Sequence, residues 1–201
     1  YIEAQPISNR LGPLAEIINA RGLDQEEFHV PMDNVATLAK IRLGSKLFFD
    51  QQLSSNGMVA CTSCHSPQHN FGAPSDHGKG VGVGGVVTTR VPQRLINLGF
   101  HRPEDTFFWD GRAKNLEEQV TQPFANPTEM GFTSIEPVLE KIRNRSGDYG
   151  PLVRQTFGIN LDELTEVHLG KALATYVRSL VVGNAPYDEF KRGNANALSA
   201  A

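Results

Sequence analysis

The chain has 201 residues, enough for one ordinary domain at roughly 100–200 residues each, and its 39% hydrophobic and 20% charged residues exclude disorder and fibrous repeats. A formal charge of -3, with Lys and Arg scattered, leaves no basic field for a polyanion and so excludes nucleic acid as a partner. No run approaches the ~20 apolar residues of a bilayer-spanning helix, so no membrane span is expected, and Tyr1 to Pro6 lacks the basic start and apolar stretch of an export signal, which reads as a mature chain.

Residues 1–34 carry one short amphipathic pattern, Leu11, Leu14, Ile17 and Ile18, among turn formers, and are expected as a surface arm ending at Pro31. A main domain is expected over 35–185. It opens with helical spacing at Val35, Leu38, Ile41, Leu43, Leu47 and Phe48, for which Asn34 is the expected N-cap. Glycines interrupt every period over 66–99, a long irregular excursion of the kind that binds something, and Val86-Val87-Thr88-Thr89 is the one short strand signal. Asn115 and Glu118 have capping-box spacing for a helix that must stop before Pro123. Another helix is expected from Ser134. The strongest stripe is Leu164, Val167, Leu169, Ala172, Leu173, Tyr176, Val177 and Leu180, ending at Gly183. Residues 186–201 read as the start of a linker towards a further domain.

The chain has two cysteines, and they fall in Cys61-Thr62-Ser63-Cys64-His65, the C-x-x-C-H pattern of covalent c-type haem attachment. On a helix, positions i, i+3 and i+4 share a face, so both sulfurs can reach the vinyl groups of one porphyrin edge while His65 meets the iron. The fold class is therefore mainly α: a cytochrome c-like helical haem domain with long loops and little strand. A thioredoxin-like dithiol would want a βαβ context, which is missing. Attachment of this kind occurs on the oxidising side of the bacterial membrane, so the expected compartment is the periplasm, after removal of a signal peptide. The sixth iron position then decides between an enzyme with an open site and a mono-haem electron carrier with six-coordinate iron. The candidates to close it are Met58, Met130, His69, His77, His101 and His168.

Leu43-Gly44-Ser45-Lys46-Leu47-Phe48-Phe49-Asp50, Leu53-Ser54, the haem motif, Phe108-Trp109-Asp110-Gly111-Arg112-Ala113, Glu118-Gln119 with Pro123, and Glu129-Met130-Gly131 follow one another in an order that resembles the N-terminal haem domain of bacterial di-haem cytochrome c peroxidases and MauG-type enzymes. The resemblance runs over about residues 35–200 and takes in Tyr187-Asp188-Glu189-Phe190 and Gly193. It implies a peroxidase-like oxidoreductase activating hydrogen peroxide at the open side of one haem c. It further implies catalytic roles for Gln119, Glu129 and Pro123, and a place for Trp109 between two haems. Such enzymes exchange electrons with a second haem domain or with a donor such as a small cytochrome or cupredoxin.

Departures from the family pattern fall in the glycine-rich loop. Where some relatives place an iron-capping histidine, this chain has Gly82 or Val83, neither of which can ligate, leaving His77 as the dissenting candidate. The family's interdomain calcium ligand corresponds to Val91, where only a backbone carbonyl could substitute. Asp110 and Arg112 read as partners of each other. Gly80-x-Gly82-x-x-Gly85 satisfies the dinucleotide fingerprint literally but lacks the strand before it and the helix after it.

Overall fold

A computed structural model describes residues 7–74 and 78–198. Two helices make its centre, α3 (Leu38–Phe49) and α7 (Glu166–Arg178), with α1 (Ile7–Leu11) and α2 (Leu14–Ala20) before them in the chain. Both central helices put long apolar side chains at helical spacing on one face. Leu43, Leu47 and Phe48 of α3 thereby meet Leu169, Leu173 and Val177 of α7 in one buried cluster. Close approach requires Gly44: a Cβ there would stand 2.2 Å from the carbonyl oxygen of Ala172.

Around this pair sit α4 (Leu116–Gln119), α5 (Glu136–Arg143) and α6 (Ser146–Phe157), which add Leu116, Val138, Leu139, Ile142, Tyr149 and Val153 to the core; α8 (Pro186–Lys191) closes the described chain. Tyr149 is fully buried, and its hydroxyl donates to Asp50 Oδ2 at 2.5 Å, where Arg145 also binds at 2.5 Å, fastening α6 to the end of α3. Burial alone would raise the Asp50 carboxyl, but the bonds from Tyr149, Arg145 and the Gln52 backbone hold it below its ordinary range.

Several expectations change. The segment read as a surface arm buries Leu11, Leu14 and Ile18 with Phe28, Val30, Ala36 and Val181 in a second cluster. Thr37, not Asn34, caps α3, accepting from Lys40 N at 3.2 Å. Asn34 is instead buried, donating to Glu117 Oε1 at 2.7 Å and to the Lys171 carbonyl at 3.1 Å. Glu117 in turn takes both guanidinium nitrogens of buried Arg178, at 2.5 and 3.1 Å. Val86 to Thr89 forms no strand: Val87 makes an isolated bridge to Val81, because Gly84 and Gly85 turn the chain with positive φ just before it. Val167 is 62% exposed and leaves the α7 stripe.

The Asn115 cap is present, accepting from Glu118 N at 2.8 Å. Glu118, however, takes the N–H of Lys114 and not that of Asn115. Among the described residues no helix is long and apolar enough to cross a membrane.

Candidate active site

Cys61 to Ser63 form a single tight turn, with Ala60 N donating to Ser63 Oγ at 3.1 Å and His65 N to the Cys61 carbonyl at 2.8 Å. The i, i+3, i+4 geometry thus comes from one turn without a following helix. Asn70 and Phe71 then take left-handed φ of 53° and 54°, folding the chain back so that the Phe71 carbonyl lies 3.3 Å from His65 Nδ1. A proton on Nδ1 satisfies that carbonyl and leaves the Nε2 lone pair for a metal. Burial pushes the imidazole towards its neutral form, against the pull of the Phe71 and Gln93 carbonyls. Burial also lifts the Cys61 thiol to about 12 and raises that of Cys64, and the two cysteines are not joined to each other.

Cys64 and His65 line a cavity of about 1130 Å³, larger than the roughly 300–1,000 Å³ of ordinary small-ligand pockets. A neutral, oriented imidazole beside the free Cys64 thiol on the wall of so large a cavity, with Cys61 one turn earlier, fits a covalently held macrocycle, with Cys61, Cys64 and His65 as the residues that would hold it. Gln119, Pro123, Glu129 and Trp109 line the same cavity. The two prolines at 123 and 127 bring this about by turning the chain out of α4: Asn126 N and Met130 N both donate to the Pro123 carbonyl, at 3.3 Å each. Glu129 is half-buried. Its carboxyl is raised by burial, against the opposing charge of Arg112 and a hydrogen bond from Asn126 Nδ2 to Oε1 at 2.8 Å.

The glycine run has a definite task here. A Cβ on Gly82 would lie 2.0 Å from the Thr128 carbonyl oxygen, so only glycine lets the loop rest on the segment carrying Glu129. Val83 N then donates to the Glu129 carbonyl at 2.9 Å, and Ser55 N holds the Met130 carbonyl at 2.9 Å.

Phe107 to Ala113 forms a tight loop closed by a bridge between its ends. Phe108 stands at φ 66°, an outlier for an aromatic residue, with the Arg112 guanidinium 3.4 Å from its ring centre. Asp110 pairs with Arg112 at 2.9 Å and also with Arg90 at 2.6 Å, and these hold its carboxyl down at about 2. Trp109 is 63% exposed and donates Nε1 to the Val91 carbonyl at 2.9 Å, so that carbonyl already has a partner.

The candidates for the sixth iron position scatter. Met58 is 71% exposed, and Met130 is buried in the main core and does not line the cavity. His168 caps the start of α7, accepting from Thr165 N at 3.2 Å. His69 and His101 are exposed side chains on the cavity wall, and His77 lies outside the described residues. Sequence reasoning missed Asn126, although Asn-Pro followed by Thr is a turn signal, and it missed the stacking of Arg112 on Phe108.

The sequence profile described as di-haem cytochrome c peroxidase matches residues 38–196. The chain belongs to this family. Within it, the methylamine utilization protein MauG of Methylorubrum extorquens is 37% identical over 183 residues, 91% of this chain and 50% of that protein. The cytochrome c551 peroxidase of Nitrosomonas europaea is 33% identical over 161 residues, 78% of this chain and 44% of the relative. Among solved structures, the dihaem peroxidase BthA of Burkholderia thailandensis superposes with a TM-score of 0.67 at 26% identity, covering 80% of this chain and 44% of its own. This di-haem peroxidase family member therefore spans about half the length of the curated relatives it matches.

Proposed function

We propose that the chain is the peroxide-reactive haem domain of a periplasmic oxidoreductase, carrying one covalent haem c and acting on hydrogen peroxide. The observation that carries this reading is the convergence of Glu129, Gln119 and Pro123 on the cavity lined by Cys64 and His65. Cys61 and Cys64 would form the thioethers, and His65 would bind through Nε2. Bound there, the haem would supply an open iron position for the oxidant and the two electrons that cleavage of the O–O bond consumes. Glu129 handles the proton: a carboxylate oxygen takes it from the inner oxygen of peroxide and returns it to the outer one, which departs as water. Gln119 orients the oxidant through its amide, and Pro123 ends α4 so that both side chains reach one space.

Exposed Trp109, fixed by the Val91 carbonyl, is the proposed route for electrons from a second haem domain or from a donor such as a small cytochrome or cupredoxin. The test is stopped-flow spectroscopy of the haem-loaded protein. A high-spin ferric spectrum that changes rapidly on adding peroxide is expected, and Glu129→Gln should slow that change by about 10²-fold with the haem retained. An inert low-spin spectrum would assign an electron carrier instead, and an unchanged rate would remove Glu129 from the chemistry.

A further inference from the structure

The proton chemistry proposed for Glu129 leaves open which of its two oxygens does the work, and the neighbouring side chain answers this. Asn126 Nδ2 donates to Glu129 Oε1 at 2.8 Å. The amide is not free to turn round, because its Oδ1 already accepts from Thr128 N at 3.0 Å and from Thr128 Oγ1 at 2.9 Å. Two donors fix the oxygen end, so the NH2 end must face the carboxylate. The backbone is equally tied. Glu129 N donates to the Asn126 carbonyl at 3.1 Å, Gly131 N to the same carbonyl at 3.0 Å, and Val83 N to the Glu129 carbonyl at 2.9 Å.

A donor held against Oε1 keeps a proton off that atom, since a hydroxyl there would set hydrogen against hydrogen. We propose that Asn126, locked by Thr128, is a positioning residue that confines the working proton of Glu129 to Oε2 and keeps the carboxylate ready to accept it. The proposal rests on the reading of Glu129 as the proton-handling group. Its electrostatics are simple: a hydrogen bond to an ionised acceptor is stronger than one to a neutral acceptor, so the Asn126 amide favours the charged carboxylate and opposes the effect of burial. Arg112 acts in the same direction. Of the other groups around the carboxyl, Cys61 and Cys64 do not titrate once thioether-bound, buried His65 is pushed towards neutrality, and Asp110 is paired with Arg90 and Arg112.

The experiment is an infrared pH titration of the Glu129 carboxyl in the haem-loaded chain, isolated by difference against Glu129→Gln and run beside the pH profile of the peroxide reaction. Asn126→Asp is nearly isosteric and keeps both Thr128 bonds, so the turn survives, but it sets a second carboxyl against the first. Asn126→Ala removes the donor together with the Thr128 bonds and adds no second carboxyl. Both variants should move the midpoint upwards, Asn126→Asp further because two adjacent carboxyls then share a proton. The acid limb of the rate should move with it, losing about tenfold for each unit of displacement at a pH below both midpoints and recovering above the new one. A midpoint unmoved in both folded variants, or a rate lowered equally at every pH, overturns the proposal. If Glu129→Gln leaves the peroxide rate intact while the infrared midpoint still moves in Asn126→Asp, the catalytic reading fails and the placement of the proton stands.

Discussion

Glu117→Ala should be among the costliest single changes in this chain. Arg178 keeps only 8% of its side-chain surface in contact with solvent, Glu117 keeps 18%, and the two meet through paired bonds at 2.5 and 3.1 Å. Removing the carboxylate strands a buried guanidinium, and removal of one partner of such a pair costs about 3–5 kcal/mol. For a chain of this size each kcal/mol lowers Tm by about 2–4 °C, so a fall of roughly 6–20 °C is expected. The assay is calorimetric unfolding of the haem-loaded protein in a double-mutant cycle with Arg178→Met. The double variant, Glu117→Ala with Arg178→Met, should cost well under the two singles added, because no unpaired charge then remains buried. A single-variant cost under about 1 kcal/mol, or a double variant as costly as the two singles added, would refute the reasoning.

Two further outcomes follow from the packing. Gly44→Ala drives a methyl against the Ala172 carbonyl and should cost about 1–3 kcal/mol by denaturant unfolding, with α3 and α7 forced apart. Tyr149→Phe removes a donor to an ionised acceptor and should cost about 1.5–3 kcal/mol at neutral pH. Because Asp50 is held below its unfolded value, the stability it contributes is present above that value, about 3.9, and is lost as pH falls through the folded one. The gap between Tyr149→Phe and the parent should therefore narrow under acid. Unfolding curves at pH 7 and pH 3 check this.

Elements with local signals were legible in the sequence: the Asn115 cap, the turn around Cys61 and the stripe of α7. Helix α6 was not, because Gly147, Gly150 and Pro151 mask its period, and what holds it is the distant bond from Tyr149 to Asp50. Asn34 looked like a cap because the residue type suits one, yet its amide nitrogen donates to groups 83 and 137 positions away. The haem motif and the family pattern are the basis of the chemistry proposed for the cavity, but its assembly depends on two prolines and a docked glycine loop that no period encodes. Asn126 is the instructive case: its bonds to Thr128 are wholly local and could have been found, whereas the carboxylate it steadies mattered only once Glu129 was seen to line the same space as His65.

Val83 and Ser55 grip the carbonyls of Glu129 and Met130, while at the apex of the glycine loop neither Gly84 nor Gly85 has an atom within 4 Å of where a Cβ would sit. The loop is thus anchored at its base and vacant at its crown. Residues inserted at the crown would project into solvent and leave the acid undisturbed, while lengthening at the base would pull directly on its backbone. The crown is accordingly the natural attachment point for a reporter group intended to watch the site without perturbing it.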